Sequence, residues 1–168
     1  EYNHTVAQIL ITGEDVEHEN RRHNFENTIL RLLQLGVLPI INENDTISTD
    51  EIVIGDNDTL GAIEAKAVNA DLFILLSDID GLFTADPHKD ENAQLISVVE
   101  EITPEIEKMT GGAGSKLGTG GMTTKIKAAV TANAAGIDMV IANGKNPKLL
   151  YDIVDGKSAG TKFLAKKA

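Results

Sequence analysis

The stretch Leu72-Phe73-Ile74-Leu75-Leu76-Ser77-Asp78 decides the fold class of this 168-residue chain. A short unbroken apolar run is typical of a strand with both faces covered in a parallel sheet, and the polar pair after it marks the strand's end. Runs of the same character occupy residues 7–11, 37–41 and 139–142. The sequence therefore predicts four strands that are buried on both faces.

Segments with helical periodicity separate these strands. In the first segment the apolar positions follow the spacing i, i+4, i+7, i+8 and are Phe25, Ile29, Leu32 and Leu33. This spacing predicts an amphipathic helix over residues 17–35, and Gly36 stands where helices commonly end in glycine. Further helices are predicted over residues 59–69 and 122–135. Because strands that alternate with helices form β-α-β units, we expect a three-layer α/β/α sandwich with a mainly parallel central sheet.

The composition excludes several classes of protein. Acidic residues outnumber basic ones by 26 to 15, which gives a formal net charge of −11. A surface of this charge repels phosphate backbones and anionic lipids, so we expect no nucleic-acid and no membrane partner. The chain has no cysteine, which excludes disulfides, thiolate metal sites and a cysteine nucleophile. No run reaches the roughly 18 apolar residues of a membrane span, and we expect a cytoplasmic protein.

Small polar and acidic residues follow every predicted strand. The four segments are Thr12-Gly13-Glu14-Asp15, Asn42-Glu43-Asn44-Asp45-Thr46, Ser77-Asp78-Ile79-Asp80-Gly81 and Asn143-Gly144-Lys145. Any one of them is explained as well by an ordinary turn, because Asn, Asp and Gly are common turn residues. In an open parallel sheet, however, ligands bind beyond the carboxyl ends of the strands. Four such segments at one edge favour a binding site there.

The segment Gly55-Asp56-Asn57-Asp58-Thr59 precedes a predicted helix. Asp56 or Asn57 would serve as its N-cap, a role that requires one side chain of this type. The additional carboxylate and amide groups suit a site that binds an ammonium group or organises cationic side chains. A calcium loop is excluded, since Leu60 and Ala67 stand where an EF-hand requires oxygen ligands.

A glycine-rich segment, Gly118-Thr119-Gly120-Gly121-Met122-Thr123-Thr124-Lys125, leads into the helix predicted over residues 122–135. Glycines let a backbone approach an anion closely, and the unpaired N–H groups at a helix start attract phosphate. Lys125 can reach an anion at that point because helical side chains lean toward the N-terminus. A linker before a capped helix is the alternative, but the order of glycines, hydroxyls and lysine favours phosphate binding. The segment is neither a P-loop nor a G-x-G-x-x-G fingerprint.

Four motifs occur in the order typical of the amino acid kinase family. They are Pro39-Ile40-Ile41-Asn42-Glu43-Asn44-Asp45, Gly55-Asp56-Asn57-Asp58, Leu76-Ser77-Asp78 with Gly81-Leu82-Phe83-Thr84-Ala85-Asp86-Pro87, and the glycine-rich segment that ends at Lys125. The chain resembles this family over essentially its whole length, and the first two motifs resemble its glutamate-phosphorylating branch. The resemblance implies ATP-dependent phosphorylation of the γ-carboxylate of L-glutamate to L-glutamyl 5-phosphate, the first step of proline biosynthesis. It also implies Mg²⁺ that bridges the ATP phosphates.

The same resemblance implies roles for individual residues. Glutamate would be bound by Asp45, Asn57 and Asn42. The expected catalytic residues are Lys125, which would neutralise the transferring phosphoryl group, and Asp56 and Asp58, which would shape the pocket and orient lysines. ATP would be bound by Ser77, Asp78, Thr119, Gly120, Gly121, Met122, Thr123, Thr124 and Lys125. No residue is expected to be a metal ligand.

The chain departs from the family pattern at its N-terminus. The family begins with a lysine-bearing strand and a Gly/Ser loop that binds substrate and phosphate, and neither is found here. We therefore expect residues 1–168 to form the larger, C-terminal portion of an amino acid kinase domain that lacks its N-terminal part. We expect this portion alone to be weakly active or inactive.

Three alternatives remain open at this point. The first is another family member that acts on acetylglutamate, carbamate or uridylate. The second is a non-catalytic amino-acid sensor on the same scaffold, and the third is a Rossmann-type dehydrogenase. The missing fingerprint disfavours the dehydrogenase. Family membership further implies a homo-oligomer, either a dimer or a tetramer. It also implies feedback inhibition by proline, with residues 46–54 as the sensing loop.

Overall fold

Strands and helices alternate along the chain in the computed structural model, which describes residues 3–47, 54–110 and 121–166. The strands are β1 (Val6–Ile11), β2 (Leu38–Glu43), β3 (Leu72–Ser77), β4 (Val98–Val99), β5 (Asp138–Asn143) and β6 (Thr161–Phe163). The helices are α1 (Gly13–Glu17), α2 (Glu19–Gln34), α3 (Asn57–Ala67), α4 (Pro104–Thr110), α5 (Met122–Ala134) and α6 (Leu149–Val154). The four strands and three long helices expected from the sequence are therefore all present.

The described strands form two sheets. β1 and β2 pair in parallel, with Val6 opposite Leu38. The second sheet has the order β3-β5-β6-β4, in which β3 is parallel to β5, β4 is parallel to β6, and β5 and β6 are antiparallel. The prediction of mainly parallel pairing is confirmed, and the antiparallel pair is the exception.

Helices cover both faces of the four-stranded sheet. On one face, Met139 and Ile141 of β5 belong to a buried cluster with alanines and Ile126 of α5. On the other face, Val140 and Ala142 of the same strand pack with Ile153 of α6. Because successive residues of a strand point to opposite faces, this alternation gives the three-layer α/β/α arrangement that the sequence predicts.

Within the described residues, only one face of the β1–β2 pair is covered. Its inner face contributes Ile11 to a cluster with Phe25 and Ile29 of α2 and Leu60 of α3. On its outer face the side chains of Val6, Leu38 and Ile40 are 55%, 55% and 53% exposed. The prediction that these two strands are buried on both faces is wrong for the described part of the chain. An apolar run identifies a strand but does not reveal whether a partner layer covers its second face.

Two helix boundaries differ from the predicted ones for local reasons. The helix predicted over residues 17–35 is interrupted at His18, whose extended backbone separates α1 from α2. α3 begins two residues earlier than predicted, because Asp56 caps it. The short elements β4, α4, α6 and β6 were not predicted, since none is long enough to show a clear periodicity. Within the described ranges, no helix has both the length and the apolar composition needed to cross a bilayer.

Gly160 permits the close approach of β6 to β5. Its φ is +68°, and a Cβ at this position would collide with the carbonyl oxygen of Ile141. Gly156 has a similar φ of +78° but has open space around it. A comparison of alanine substitutions at these two positions therefore separates the cost of a left-handed backbone from the cost of a steric clash.

We expect Gly156→Ala to reduce the free energy of unfolding by about 1 kcal/mol, which is the penalty for a left-handed alanine. Gly160→Ala should cost about 2 kcal/mol more, because the added methyl group must push β6 away from β5. Urea unfolding of both variants measures the difference. Equal losses would show that β6 can move without consequence.

Candidate active site

A polar pocket of about 400 Å³ lies where β2 ends and α3 begins. We call it the acidic pocket, and it is lined by Asn42, Glu43, Asp45, Gly55, Asp56, Asn57 and Asp58. All three residues expected to bind glutamate, namely Asp45, Asn57 and Asn42, are among them. The structure therefore brings together two motifs that are about ten residues apart in the sequence.

Glu43 holds the two sides of the acidic pocket together. Its Oε1 accepts a hydrogen bond from the backbone N–H of Ile54 at 2.8 Å, and its Oε2 accepts one from the N–H of Gly55 at 3.2 Å. These bonds tie the segment that enters α3 to the end of β2. No role was predicted for Glu43, because nothing in the local spacing reveals a contact eleven residues away.

Asp56 is the N-cap of α3. Its Oδ1 accepts a hydrogen bond from the backbone N–H of Thr59 at 2.8 Å, and its Oδ2 accepts one from the Thr59 hydroxyl at 2.9 Å. Capping of this kind satisfies one of the orphan N–H groups at a helix start. Asp56 contacts no lysine among the described residues, so its expected role in orienting lysines stays a prediction that its contacts do not support.

Asp58 does contact a lysine. Its Oδ2 lies 3.1 Å from Nζ of Lys125 and accepts a hydrogen bond of 2.6 Å from the hydroxyl of Thr124. The Asp58 and Lys125 side chains are only 14% and 8% exposed, respectively. This buried pair joins the first turn of α3 to the first turn of α5, two helices that pack along each other. It therefore connects the acidic pocket to the glycine-rich motif.

The N-terminus of α5 is suited to an anion. Gly121 is its N-cap, and Met122, Thr123 and Thr124 form its first turn with no acidic side chain. Every other helix in the described part of the chain has at least one acidic residue in its first turn. The helix dipole is positive at this end and favours an anion, and the Asp58 carboxylate of α3 already lies beside Thr124 and Lys125 there. Thr119 and Gly120, also expected to bind ATP, lie outside the described residues.

Ser77 and Asp78 lie at the carboxyl end of β3 and do not line the acidic pocket. The Ser77 hydroxyl donates a hydrogen bond to Asp78 Oδ1 at 3.1 Å. The backbone of this loop is joined to the exit of β5, because the N–H of Gly144 donates to the carbonyl of Ser77 at 2.7 Å. The ends of β3 and β5 therefore meet, as predicted for neighbouring parallel strands.

In the loop after β1, a polar side chain stabilises the local backbone by hydrogen bonding. Oδ2 of Asp15 accepts hydrogen bonds from the backbone N–H and the hydroxyl of Thr12, each at 2.8 Å. These bonds organise the start of α1, which is the ordinary turn explanation for this segment. Among the described residues, only one of the four polar segments that follow the predicted strands, the one after β2, lines the acidic pocket.

Comparisons with known proteins define the class of this protein. The model of the amino acid kinase family matches residues 1–143, and the chain belongs to that family. The chain is 53% identical over 171 residues to a glutamate 5-kinase of Clostridium perfringens and 54% identical over 167 residues to one of Clostridium tetani. Both matches cover 99% of this chain, which spans 64% and 62% of the length of these two relatives. The resemblance inferred from the motifs is thereby confirmed.

Solved structures confirm the fold. The UMP kinase of Bacillus anthracis matches with a TM-score of 0.66 at 14% identity, and the match covers 99% of this chain and 61% of that one. The isopentenyl phosphate kinase of T. acidophilum matches with a TM-score of 0.61 at 17% identity, over 95% of this chain and 60% of that one. At such low identities these likenesses show the fold alone.

The Asp58–Lys125 pair predicts a strong coupling between two substitutions. Asp58→Leu and Lys125→Met should each cost about 3–5 kcal/mol of stability, because each leaves the other charge buried without this partner. The double variant buries neither charge and should lose much less than the sum. Urea unfolding of the four proteins gives the coupling energy.

The exposed pair Asp152–Lys157, with its two charged atoms 2.7 Å apart, is the matched control. The same cycle there should give a coupling below about 1 kcal/mol, since exposed ion pairs contribute little. Additive losses at Asp58 and Lys125 would mean that the buried pair does not act as a unit.

Glu64 is a carboxylic acid that the acidic pocket does not use. It lies on α3, and desolvation by burial raises the pKa of its carboxyl group to about 7. Burial alone causes this shift. Burial favours the protonated form of the Glu64 carboxyl group. Its contribution to the free energy of unfolding is therefore fully present below about pH 4.5 and is lost as the pH rises through 7.

We expect Glu64→Gln to remove this pH dependence. The variant should melt roughly 3 °C higher than the parent at pH 8 and at nearly the same temperature at pH 4.5. Glu91→Gln, at an exposed position, is the control and should change neither value by much. Thermal melting at both pH values measures the effect. A variant that is not stabilised at pH 8 would show that the carboxylate is well solvated.

Proposed function

We propose that the protein phosphorylates the γ-carboxylate of L-glutamate with ATP and forms L-glutamyl 5-phosphate, the first intermediate on the route to proline. The observation that carries this proposal is the buried Asp58–Lys125 pair, which joins the acidic pocket to the acid-free start of α5. The identity of about half the residues to glutamate 5-kinases supports the choice of substrate within the family.

The acidic pocket is proposed to hold the amino acid. An ammonium group is attracted to a site rich in carboxylates, and Asp45 is the side chain proposed to receive it. Asn42 and Asn57 have amide groups that donate hydrogen bonds to carboxylate oxygens. A cavity of about 400 Å³ accommodates a small, fully charged amino acid with its hydration.

The start of α5 is proposed to receive the transferring phosphoryl group. Phosphoryl transfer requires alignment and charge neutralisation rather than covalent catalysis by the protein. Lys125 supplies a positive charge at this point, and Asp58 fixes the position of its ammonium group. The glutamate carboxylate is already a nucleophile, so no general base is needed.

Ser77 and Asp78 are proposed to contact the nucleotide, at the meeting point of the β3 and β5 exits. Mg²⁺ bound to the ATP phosphates would neutralise their charge. The described residues contain no group of three or more His, Asp or Glu placed to hold a metal ion. Binding through substrate phosphates is the usual mode for magnesium in kinase sites.

The substrate assignment is tested by ADP release with a panel of acceptors. We expect L-glutamate to be the acceptor that gives turnover, however weak, and none with acetylglutamate, carbamate, UMP or isopentenyl phosphate. Asp45→Asn should raise the KM for glutamate about tenfold or more and leave the KM for ATP unchanged, because only the amino acid loses a charge partner. Lys125→Met should lower kcat about 100-fold, and Lys127→Met on the exposed side of the same helix should not.

Other results would redirect the assignment. Phosphorylation of another acceptor would make the protein a different member of the family. A melting shift with glutamate but none with Mg-ATP would favour the amino-acid sensor. Both outcomes contradict the proposed reaction.

Some expectations from the resemblance remain proposals. Proline would compete with glutamate in the acidic pocket, and most of the proposed sensing loop, residues 48–53, lies outside the described residues. A homo-oligomer and a cytoplasmic location are proposed on family membership. The expectation that residues 1–168 alone are weakly active or inactive also stays a prediction.

A further inference from the structure

Thr161 is a fully buried polar residue with two long-range hydrogen bonds. It is the first residue of β6 and is 0% exposed. Its hydroxyl accepts a hydrogen bond of 2.7 Å from the backbone N–H of Leu82 and donates one of 2.6 Å to the carbonyl oxygen of Ile96. These partners are 79 and 65 positions away in the sequence. One hydroxyl therefore joins three separate segments of the chain.

Leu82 closes the loop that begins at Ser77. At its beginning, this loop is held by the hydrogen bond from Gly144 to the carbonyl of Ser77. In its middle, Asp80 accepts a hydrogen bond of 2.7 Å from the side-chain amide of Asn143. At its far end, the loop is held by the bond from Leu82 to Thr161. The segment with Ser77 and Asp78 is thus anchored from β5 and β6.

The packing at Gly81 shows how closely the loop approaches the Thr161 hydroxyl. A Cβ at position 81 would lie 2.5 Å from Thr161 Oγ1, closer than any real contact of this kind. Gly81 also has a φ of +153°. The loop therefore packs closely against the Thr161 hydroxyl at two consecutive residues. Gly81 leaves room for the hydroxyl, and the buried N–H of Leu82 donates a hydrogen bond to it.

We propose that Thr161 is a positioning residue for the nucleotide. Its hydroxyl holds residues 77–82 in the conformation that presents Ser77 and Asp78 to ATP. This inference rests on the proposed function, in which those two residues contact the nucleotide. Thr161 lies beyond residues 1–143, the part matched by the family model, so the match gives it no role.

The chemistry of the side chain makes the proposal specific. A hydroxyl can accept from Leu82 and donate to Ile96 at once, whereas an isosteric valine can do neither. Thr161→Val would leave the buried N–H of Leu82 and the partly buried carbonyl of Ile96 without this partner, and the loop would relax to satisfy them. Thr161→Ser keeps both hydrogen bonds and loses only a methyl group.

The test measures the binding of two ligands by calorimetry, Mg-ATP and L-glutamate, to the protein and its variants. Thr161→Val should weaken Mg-ATP binding about tenfold, the equivalent of one lost hydrogen bond, and leave glutamate binding unchanged. Thr161→Ser should bind Mg-ATP within about twofold of the parent. Thr28→Val, which removes an exposed hydroxyl bonded within α2, is the control and should change neither affinity.

Hydrogen exchange of the unmodified protein gives a second measurement that needs no variant. If the Thr161 anchor and the nucleotide stabilise the same loop, Mg-ATP should slow exchange of the Leu82 amide several-fold, and glutamate alone should not. This readout applies even if Thr161→Val fails to fold.

The outcomes separate this inference from the function on which it rests. Equal Mg-ATP affinities for the parent and Thr161→Val overturn the inference and leave the proposed function intact. An equal loss of both ligands, or a Leu82 amide unaffected by Mg-ATP, also overturns it. A parent protein that does not bind Mg-ATP at all refutes the proposed function, and the inference falls with it.

Discussion

The ion pair between Asp58 and Lys125 is the interaction on which the rest of the site depends. It is the point where α3, which begins at the acidic pocket, is joined by charge to α5, which follows the glycine-rich motif. Two charges in a poorly hydrated place are stable only together, so the pair fixes the relative position of the two helix starts. Without it, the proposed amino-acid pocket and the proposed anion-binding helix end would have no common geometry.

The second constraint is that small polar anchors hold the loops at the strand ends. Glu43 ties the entrance of α3 to β2 through two backbone N–H groups, and Thr161 ties the exit of β3 to β6. In both cases a side chain of one element satisfies backbone groups of another. Loops held in this way present functional side chains without the reorganisation that a mobile loop would require.

Local features of the sequence predicted the elements and part of the site. Apolar runs located β1, β2, β3 and β5, and the surplus of polar groups before α3 pointed to the acidic pocket. The anchors made by Glu43 and Thr161 could not be predicted, since their partners lie eleven to 79 positions away and no local spacing encodes them. The exposed face of β1–β2 was missed because burial on a second face depends on a layer that the run itself does not specify.

The energetics of the Asp58–Lys125 pair bear on why these residues are present. A buried ion pair is often no more stabilising than apolar side chains of the same volume, because desolvation of both charges offsets their attraction. Stability therefore gives little reason to place a lysine and an aspartate at this junction, which is otherwise packed with alanines and Ile126. The proposed phosphoryl transfer between two anions does give a reason, since it requires a fixed positive charge where they meet. The junction retains a charge that packing does not need, and this supports the proposed role of the charge in phosphoryl transfer.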